Sequence, residues 1–496
     1  MIPLSLDEVA AAAGGVLRDA DPGTLVTSLT IDSRVVAAGG LFVALPGERT
    51  DGARFAADAL AAGAAAVLAR RGAVTAGPRV EVDDPLTALA AVAGEVRSRS
   101  AARVVGITGS VGKTTTKDLL AAVLATRLRT VANQASFNNE LGLPLTLARL
   151  EPDTEALVVE LGARGPGHIA ALARVARPVL GVVLNVGEAH LGVFGSRQAI
   201  ADAKAELVEA LPSDGVAVLA ADDPIVAAMA GRTEARVVSF GLGPAAEVRA
   251  EGVELDGDGH ARFRLSTPAG SAAVAMPAMG EHLVRDALAA AAAAGVFGLA
   301  VEEIAAGLAG ARLSPMRMQV ERRPDGVTVI NDAYNANPTS VTAALKALAA
   351  AGRGGGRTVA VLGEMAELGE AAQVEHDRVG RLAARLGIDR LVGVGELGEI
   401  LVRAARMEGM WPEEAVAVAD ADAAVAAVAG VLAPGDVVLV KASRAVALDS
   451  VANRLLIEPN VPTGGSGGLK KRSGSPPVNR GSGGAGVAPP VHRGSR

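Results

Sequence analysis

Gly106-Ile-Thr-Gly-Ser-Val-Gly-Lys-Thr-Thr-Thr116 is the stretch on which the reading of the fold turns. It follows the apolar run Val104-Val-Gly-Ile107 and opens a helical pattern from Thr114 to about Thr126. A glycine-rich turn between a strand and a helix lets backbone N–H groups converge on phosphate oxygens. The helix N-terminus adds the positive end of its dipole. Lys113 is then placed to reach β- and γ-phosphates, and the Thr114 hydroxyl to coordinate Mg²⁺. The first glycine sits six residues before Gly112, one more than the usual phosphate-loop spacing. The plainer alternative is a structural turn with a solvated lysine; the strand–loop–helix context favours phosphate.

Outward from this loop, short apolar runs alternate with Ala-rich helical stretches. Strands are expected at Gly40–Leu45, Val104–Ile107, Ala156–Glu160, Val179–Leu184 and Val216–Leu219, with a helix over Arg54–Ala69. The polar stretch Glu247–Met276 suggests an antiparallel excursion. Beyond Met316 the alternation resumes, with strands at Val327–Ile330, Thr358–Leu362, Arg390–Val394 and Val437–Val440. The pattern predicts α/β architecture with largely parallel sheets. Breaks are expected near residues 84 and 316, giving units 1–84, 85–315 and 316–457 and a tail from 458 to 496.

The chain has 496 residues, a net charge of −6 and no cysteine. Disulfides and thiolate chemistry are thereby excluded. Half of the residues are hydrophobic, yet the aromatic ones are seven Phe with Trp411 and Tyr334 as the single Trp and Tyr. So few aromatics argue against a base-stacking nucleic-acid binder. The N-terminus lacks the basic segment of a signal peptide. The longest uncharged apolar run, Ala287–Val301, falls short of the ~20 residues a membrane span needs. A soluble cytoplasmic protein with no membrane span is expected. The stretch Pro459–Arg496 carries six of the 48 basic residues and none of the 54 acidic ones, leaving 42 against 54 in the rest of the chain. Its Gly, Ser and Pro content predicts disorder; an anchor for an anionic partner is the sharper alternative.

Four further features bear on chemistry. Glu160 ends the strand Ala156–Glu160, where a nucleotide enzyme places a metal ligand, although an ordinary strand-end acid looks the same. Asn185-Val-Gly-Glu-Ala-His190 closes the next strand and should face the same crevice. Lys204 lies four residues after Ile200 and three before Leu207, on the apolar stripe of its helix. A desolvated lysine there loses charge readily and can react with CO₂ to form a carbamate; snorkelling to water is the alternative that spacing alone favours. Gly393-Val-Gly-Glu-Leu-Gly398 matches a dinucleotide fingerprint after a strand, but reads better as a strand-to-helix turn.

Together these motifs resemble the Mur ligase family, the amide-forming enzymes of cytoplasmic peptidoglycan synthesis, over about residues 25 to 457. The family's phosphate loop has the same Gly-x-Thr-Gly-x-x-Gly-Lys-Thr form. Asn331-Asp-Ala-Tyr-Asn-Ala-Asn-Pro338, Leu362-Gly-Glu-Met-Ala-Glu-Leu-Gly369, Ile31-Asp-Ser-Arg34 and Ser136-Phe-Asn-Asn-Glu-Leu-Gly-Leu-Pro144 are similar to members that join D-alanyl-D-alanine to UDP-N-acetylmuramoyl-tripeptide. The Asp-Asn-Pro-Arg string of the sibling that adds diaminopimelate is absent.

The resemblance implies a three-domain architecture with a central phosphate-loop ATPase domain and a C-terminal Rossmann-like domain. It implies ATP and Mg²⁺ as cofactors and a monomer as the working unit. Thr108, Gly109, Ser110, Val111, Gly112, Lys113, Thr114 and Thr115 would hold the nucleotide, with Asp286, Arg317 and Asp332. Thr114, Glu160 and His190 would surround the metal. Lys113, Glu160, His190 and Lys204 would be the catalytic set, with Lys204 on the family's carbamylated lysine. Ser33 and Arg34 would meet the uridine end of the substrate, Asn138 and Asn139 its peptide, and Tyr334, Asn335 and Asn337 the dipeptide. Departures occur at Leu283 and Asp286, where the family usually has Asn, and at Ala220 and Ala442. Rival readings are a sibling ligase adding one amino acid, a nucleotide-switch GTPase (its Asn-Lys-x-Asp motif is absent) and an inactive scaffold acting through the tail. The third residue of the tripeptide is not legible.

Overall fold

Three principal β-sheets layered with helices organise the chain, in a computed structural model that describes residues 1–47, 50–134, 137–187 and 191–457. His190 and the tail from 458 to 496 therefore lie outside the described residues. The first sheet runs in the order Val16–Arg18, Arg79–Val82, Ala66–Arg70, Gly40–Val43, Ser28–Thr30, and only its first pair is antiparallel. The helix expected over Arg54–Ala69 is corrected here. It is a 3₁₀ turn at Gly52–Phe55 and a short helix at Ala56–Ala61, followed by the strand Ala66–Arg70. Gly63, at φ +102°, breaks the helix. The run Ala66 to Ala69 is buried as an interior strand between two parallel neighbours, and this tertiary burial overrides the helical preference of alanine.

The central sheet has nine strands. Arg103–Thr108 lies between Ala156–Glu160 and Leu180–Val183, all parallel. The chain first crosses to one side of this strand and later to the other, which opens a crevice at the carboxyl ends of the three strands. Val216–Ala220, Arg236–Gly241 and Val248–Leu255 continue in parallel. His260–Thr267 and Gly270–Met279 then add antiparallel strands, the excursion expected from the polar stretch.

The alanine run explains the composition. Ala287 to Ala294 are all buried in the helix Leu283–Val296, which packs on the phosphate-loop helix Lys113–Ala125. A helix that is apolar all round is an interior helix. Small side chains let backbones approach closely: a Cβ on Gly307, in the helix Val301–Ala309, would meet Val123 Cα at 2.7 Å.

In the C-terminal domain the six strands run Gln319–Arg322, Thr328–Asn331, Val437–Lys441, Thr358–Leu362, Arg390–Val394, Ala415–Val418, parallel except for the first pair. Residues of the inner strands alternate between two cores. Ala360 and Leu362 join one and Val359 and Val361 the other, so helices cover both faces. Among the described residues, no helix is long and apolar enough to cross a membrane.

Candidate active site

The carboxyl ends of the central strands face the C-terminal domain across a cavity of about 800 Å³. Its walls bring together Lys113, Thr114, Glu160, Lys204, Asp286 and Arg317 with Asp332, Tyr334 and Lys441. Three strands supply one wall because their ends are neighbours in the sheet: one leads into the glycine-rich loop, one ends at Glu160 and one leads to Asn185.

The loop is built for close backbone approach. Gly112 has φ +85°, and a Cβ there would lie 2.3 Å from Asp286 Oδ1. Asn185 braces the loop: its Oδ1 accepts from Ser110 N and Val111 N at 3.0 Å each, and its Nδ2 donates to Val111 O at 3.1 Å. Ser110 Oγ accepts from Gly187 N at 2.9 Å. Thr108 is buried beneath the loop and Thr115 follows within the helix. Lys113 Nζ donates to Gly109 O at 2.7 Å, across the loop. Burial pushes the Lys113 ammonium below its usual range; Glu160 opposes that shift and Arg317 adds to it.

Glu160 is fully buried, and burial raises its carboxyl above the usual range against the charges of Lys117, Lys113 and Arg317. Its Oε1 has no hydrogen-bond partner in the described structure, while Oε2 accepts weakly from Asn138 Nδ2 at 3.4 Å. An orphaned anionic oxygen beside the Thr114 hydroxyl is the hard donor set that a small divalent cation takes.

Lys204 is only 5 % exposed, so the snorkelling alternative is not what the structure shows. Its helix, Arg197–Glu209, begins at Ser196, whose Oγ accepts from Ala199 N at 3.1 Å. Ile200 and Leu207 anchor that helix in the core and Lys204 faces the cavity between them. Burial, with the positive charge of Lys113 second, lowers its amine to about 7.

The opposite wall is an arginine held from several sides. Arg317 Nη2 donates to Thr114 Oγ1 at 3.1 Å, and the guanidinium lies 4.1 Å over the Tyr334 ring. Met316 and Met318, on either side of it, both have left-handed backbone, at φ +58° and +48°. Such residues cost about 1 kcal/mol or more each and persist only where the surroundings enforce them. One enforcing contact is Met318 N to Asp332 Oδ1 at 3.1 Å. Asp332 Oδ2 in turn accepts from the buried Lys441 Nζ at 2.6 Å, and Lys441 also donates to Asn335 O at 2.8 Å.

Asp286 stands over Gly112, and burial pushes its carboxyl up to about 8, against Thr116, Arg285 and Arg317. A neutral carboxylic acid both donates and accepts, as the amide of Asn does. The sign of its effect on stability follows. Between the ordinary carboxylate value of 3.8 and about 8, the folded chain keeps a proton that the unfolded chain releases, so stability falls as pH rises through that window. Asp286→Asn has no such slope. Its melting temperature relative to the parent is expected to rise steadily between pH 5 and pH 8; a pH-independent difference in thermal melts would contradict the assignment.

Other expected site residues lie elsewhere or have local duties. Ser33 and Arg34 belong to a 3₁₀ turn, Ser33–Val35, and do not line the cavity; Arg34 is forked onto Asp32 at 2.9 and 2.7 Å. Asn139 Oδ1 accepts from Leu141 N and Gly142 N at 3.3 and 2.9 Å. Asn337 caps the helix Pro338–Ala351 through Ser340 N at 2.9 Å, and Asn335 Oδ1 accepts from Ala336 N at 2.9 Å. Asn138, Asn139, Asn335 and Asn337 all border the cavity. The fingerprint at Gly393 and Gly398 is a packing device: a Cβ on Gly393 would meet Gly398 O at 2.2 Å, and neither glycine lines the cavity.

Two buried lysines escape sequence reasoning. Lys117, one turn after Lys113, pairs with Asp118 at 2.8 Å and donates to Asn133 O at 2.9 Å. Asn133 Oδ1 accepts from Glu160 N at 3.0 Å, which ties the loop helix to the Glu160 strand. The available signal is a lysine four residues beyond the loop lysine in a run of threonines. For Lys441 it is a cation closing the apolar strand Val437–Lys441.

Comparison with known proteins agrees with this geometry. The chain matches the Mur ligase family catalytic domain over residues 25–108, the Mur ligase middle domain over 107–294 and the Mur ligase glutamate ligase domain over 316–444. It is 47% identical to the UDP-N-acetylmuramoyl-tripeptide–D-alanyl-D-alanine ligase of Mycobacterium tuberculosis (strain ATCC 25618 / H37Rv), over 92% of this chain and 98% of that one. Among solved structures it superposes on MurF from Acinetobacter baumannii with a TM-score of 0.82 at 30% identity, covering 92% of this chain and 99% of that one. It superposes on the MurF ligase from Thermotoga maritima, solved in complex with ADP, with a TM-score of 0.76 at 29% identity, covering 87% and 98%. With a phosphate loop, a buried acid and a buried lysine converging beneath a third domain, and relatives matched over nearly their whole length, the chain belongs to the Mur ligase family.

Proposed function

We propose that this chain is an ATP-dependent amide ligase that joins D-alanyl-D-alanine to UDP-N-acetylmuramoyl-tripeptide in peptidoglycan precursor synthesis. The observation that carries the reading is the convergence of Lys113, Glu160 and the buried Lys204 in one cavity closed by the C-terminal domain. It is supported by the 47% identity to a ligase of that name.

A carboxylate is a poor acyl donor because its leaving group would be oxide. Transfer of the γ-phosphoryl group of ATP to the terminal carboxylate of the tripeptide releases ADP and makes an acyl phosphate. The amine of the dipeptide attacks the acyl carbon and gives up a proton. Phosphate leaves with one former carboxylate oxygen. Little covalent work falls to the protein, so positioning and charge stabilisation dominate. The loop amides and Lys113 hold the phosphates and stabilise negative charge on the transferring group.

Thr114 and Glu160 would hold Mg²⁺, with His190 as a third candidate by resemblance; the metal supplies neutralisation of phosphate charge. Lys204 is proposed to carry a carbamate. Its low amine value leaves a large neutral fraction, the form that attacks CO₂. The product is an anion, which turns the repulsion between Lys204 and Lys113 into attraction. Asp286, Arg317 and Asp332 are assigned to the nucleotide, Ser33 and Arg34 to the uridine end, Asn138 and Asn139 to the peptide, and Asn335 and Asn337 to the dipeptide. The domain limits proposed are 1–84, 85–315 and 316–457. Closure of the C-terminal domain would keep water from the acyl phosphate. The working unit is proposed to be a cytoplasmic monomer.

The test is incubation with ATP, Mg²⁺, the tripeptide nucleotide and either D-alanyl-D-alanine or single amino acids, followed by mass measurement of the product. A pentapeptide nucleotide formed only with the dipeptide is expected. Product with a single amino acid and none with the dipeptide would assign the chain to a sibling activity.

A further inference from the structure

Tyr334 is the only tyrosine of the chain. Its place in Asn331-Asp-Ala-Tyr-Asn-Ala-Asn-Pro338 assigns it by resemblance to the dipeptide side of the cavity, and its ring also meets a second group. The Arg317 guanidinium lies 4.1 Å over the ring centroid, while Arg317 Nη2 reaches the Thr114 hydroxyl at 3.1 Å. Arg317 and Tyr334 both come from the segment that opens the C-terminal domain, and Thr114 opens the phosphate-loop helix of the central domain. The contact therefore crosses between domains.

We propose that Tyr334 is a positioning residue that acts on the phosphate site through Arg317, holding that arginine at Thr114 when the C-terminal domain docks. The inference rests on the ligase reading given above. Three observations support it independently of any ligand. The Arg317 Cζ lies 4.1 Å over the Tyr334 ring while Nη2 donates to the Thr114 hydroxyl, so the ring contact and the oxygen contact use different parts of one guanidinium. The backbone on either side of the arginine is left-handed at both Met316 and Met318, and Met318 N is held by Asp332 Oδ1 at 3.1 Å. The same short segment is tied through Asp332 to Lys441, which connects ring, arginine and acid to the sheet of the C-terminal domain. An arginine carried by a docking domain completes the phosphate site only in the closed arrangement, which couples phosphoryl transfer to the exclusion of water.

The experiment is a double-mutant cycle on the full chain with Tyr334→Leu, Arg317→Ala and the double variant. Rates of ADP formation are read at saturating and limiting concentrations of each substrate. Tyr334→Leu is expected to lower kcat by about 10- to 30-fold, the range a desolvated cation–π contact supports. The KM for the dipeptide should hardly move. The double variant should be no worse than Arg317→Ala alone, since the tyrosine then has nothing to hold. Tyr334→Phe keeps the ring and is expected to recover most of the loss, which separates positioning from a folding defect; thermal melts of all variants accompany the rates. Losses that multiply in the double variant, or a Tyr334→Leu defect confined to the KM for the dipeptide, would overturn the proposal. A parent chain that forms no ADP with the tripeptide nucleotide would instead overturn the ligase reading itself, so the two failures are distinguishable.

Discussion

Lys113→Ala is expected to lower tripeptide-dependent ADP formation by about 10²- to 10³-fold, the effect of removing one preorganised donor from a developing oxyanion. Lys113 Nζ lies across the loop on Gly109 O at 2.7 Å, inside a cavity where burial already disfavours its charge. An anionic phosphate there relieves that penalty, and charge on the transferring group strengthens the contact further in the transition state. The KM for the dipeptide should be nearly unaffected, because the amine enters after phosphoryl transfer. Steady-state ADP release in the presence of the tripeptide nucleotide is the measurement. Normal release from the variant would remove the loop from the phosphoryl-transfer step.

Lys204→Ala is expected to bring turnover close to background, a loss of at least about 10²-fold, and short carboxylic acids added to the assay should restore part of it. Lys204 cannot be explained as a solvated surface cation, since it is 5 % exposed and shares its cavity with Lys113. A buried ammonium beside Lys113 would be costly: burial first, and the charge of Lys113 second, lower its amine to about 7. A carbamate removes the conflict and supplies an anion. Alanine removes the side-chain stem together with the anion, leaving space that a small carboxylate such as acetate can enter to supply the charge. Rescue should saturate with acid concentration and depend on acid size. Near-normal activity in the variant, or equal stimulation of the parent by the same acids, would dismiss the carbamate.

Much of this was legible in residues before any coordinates. The loop, the strand ending at Glu160 and the lysine on an apolar helical stripe are local patterns with local causes, and each lies where its spacing placed it. What failed was set by distant partners. Ala66 to Ala69 has no helical or strand periodicity, and only its two neighbours in the sheet make it a strand. For Lys204 spacing alone favoured snorkelling to water, because spacing reveals which face a residue occupies and not how deep that face is buried. The partnership of Arg317 with Tyr334 and Thr114 joins residues from two domains, and no one-dimensional pattern records it. Asp286 could be read only as a substitution for Asn. Its neutral state follows from burial over Gly112, a property of the folded chain.

The central claim is the acyl phosphate formed in this cavity. Its most direct test uses tripeptide nucleotide whose terminal carboxylate carries ¹⁸O, incubated with ATP, Mg²⁺ and D-alanyl-D-alanine. The inorganic phosphate released is expected to carry one labelled oxygen from that carboxylate. Unlabelled phosphate, with label instead in AMP or retained entirely in the peptide and water, would contradict it.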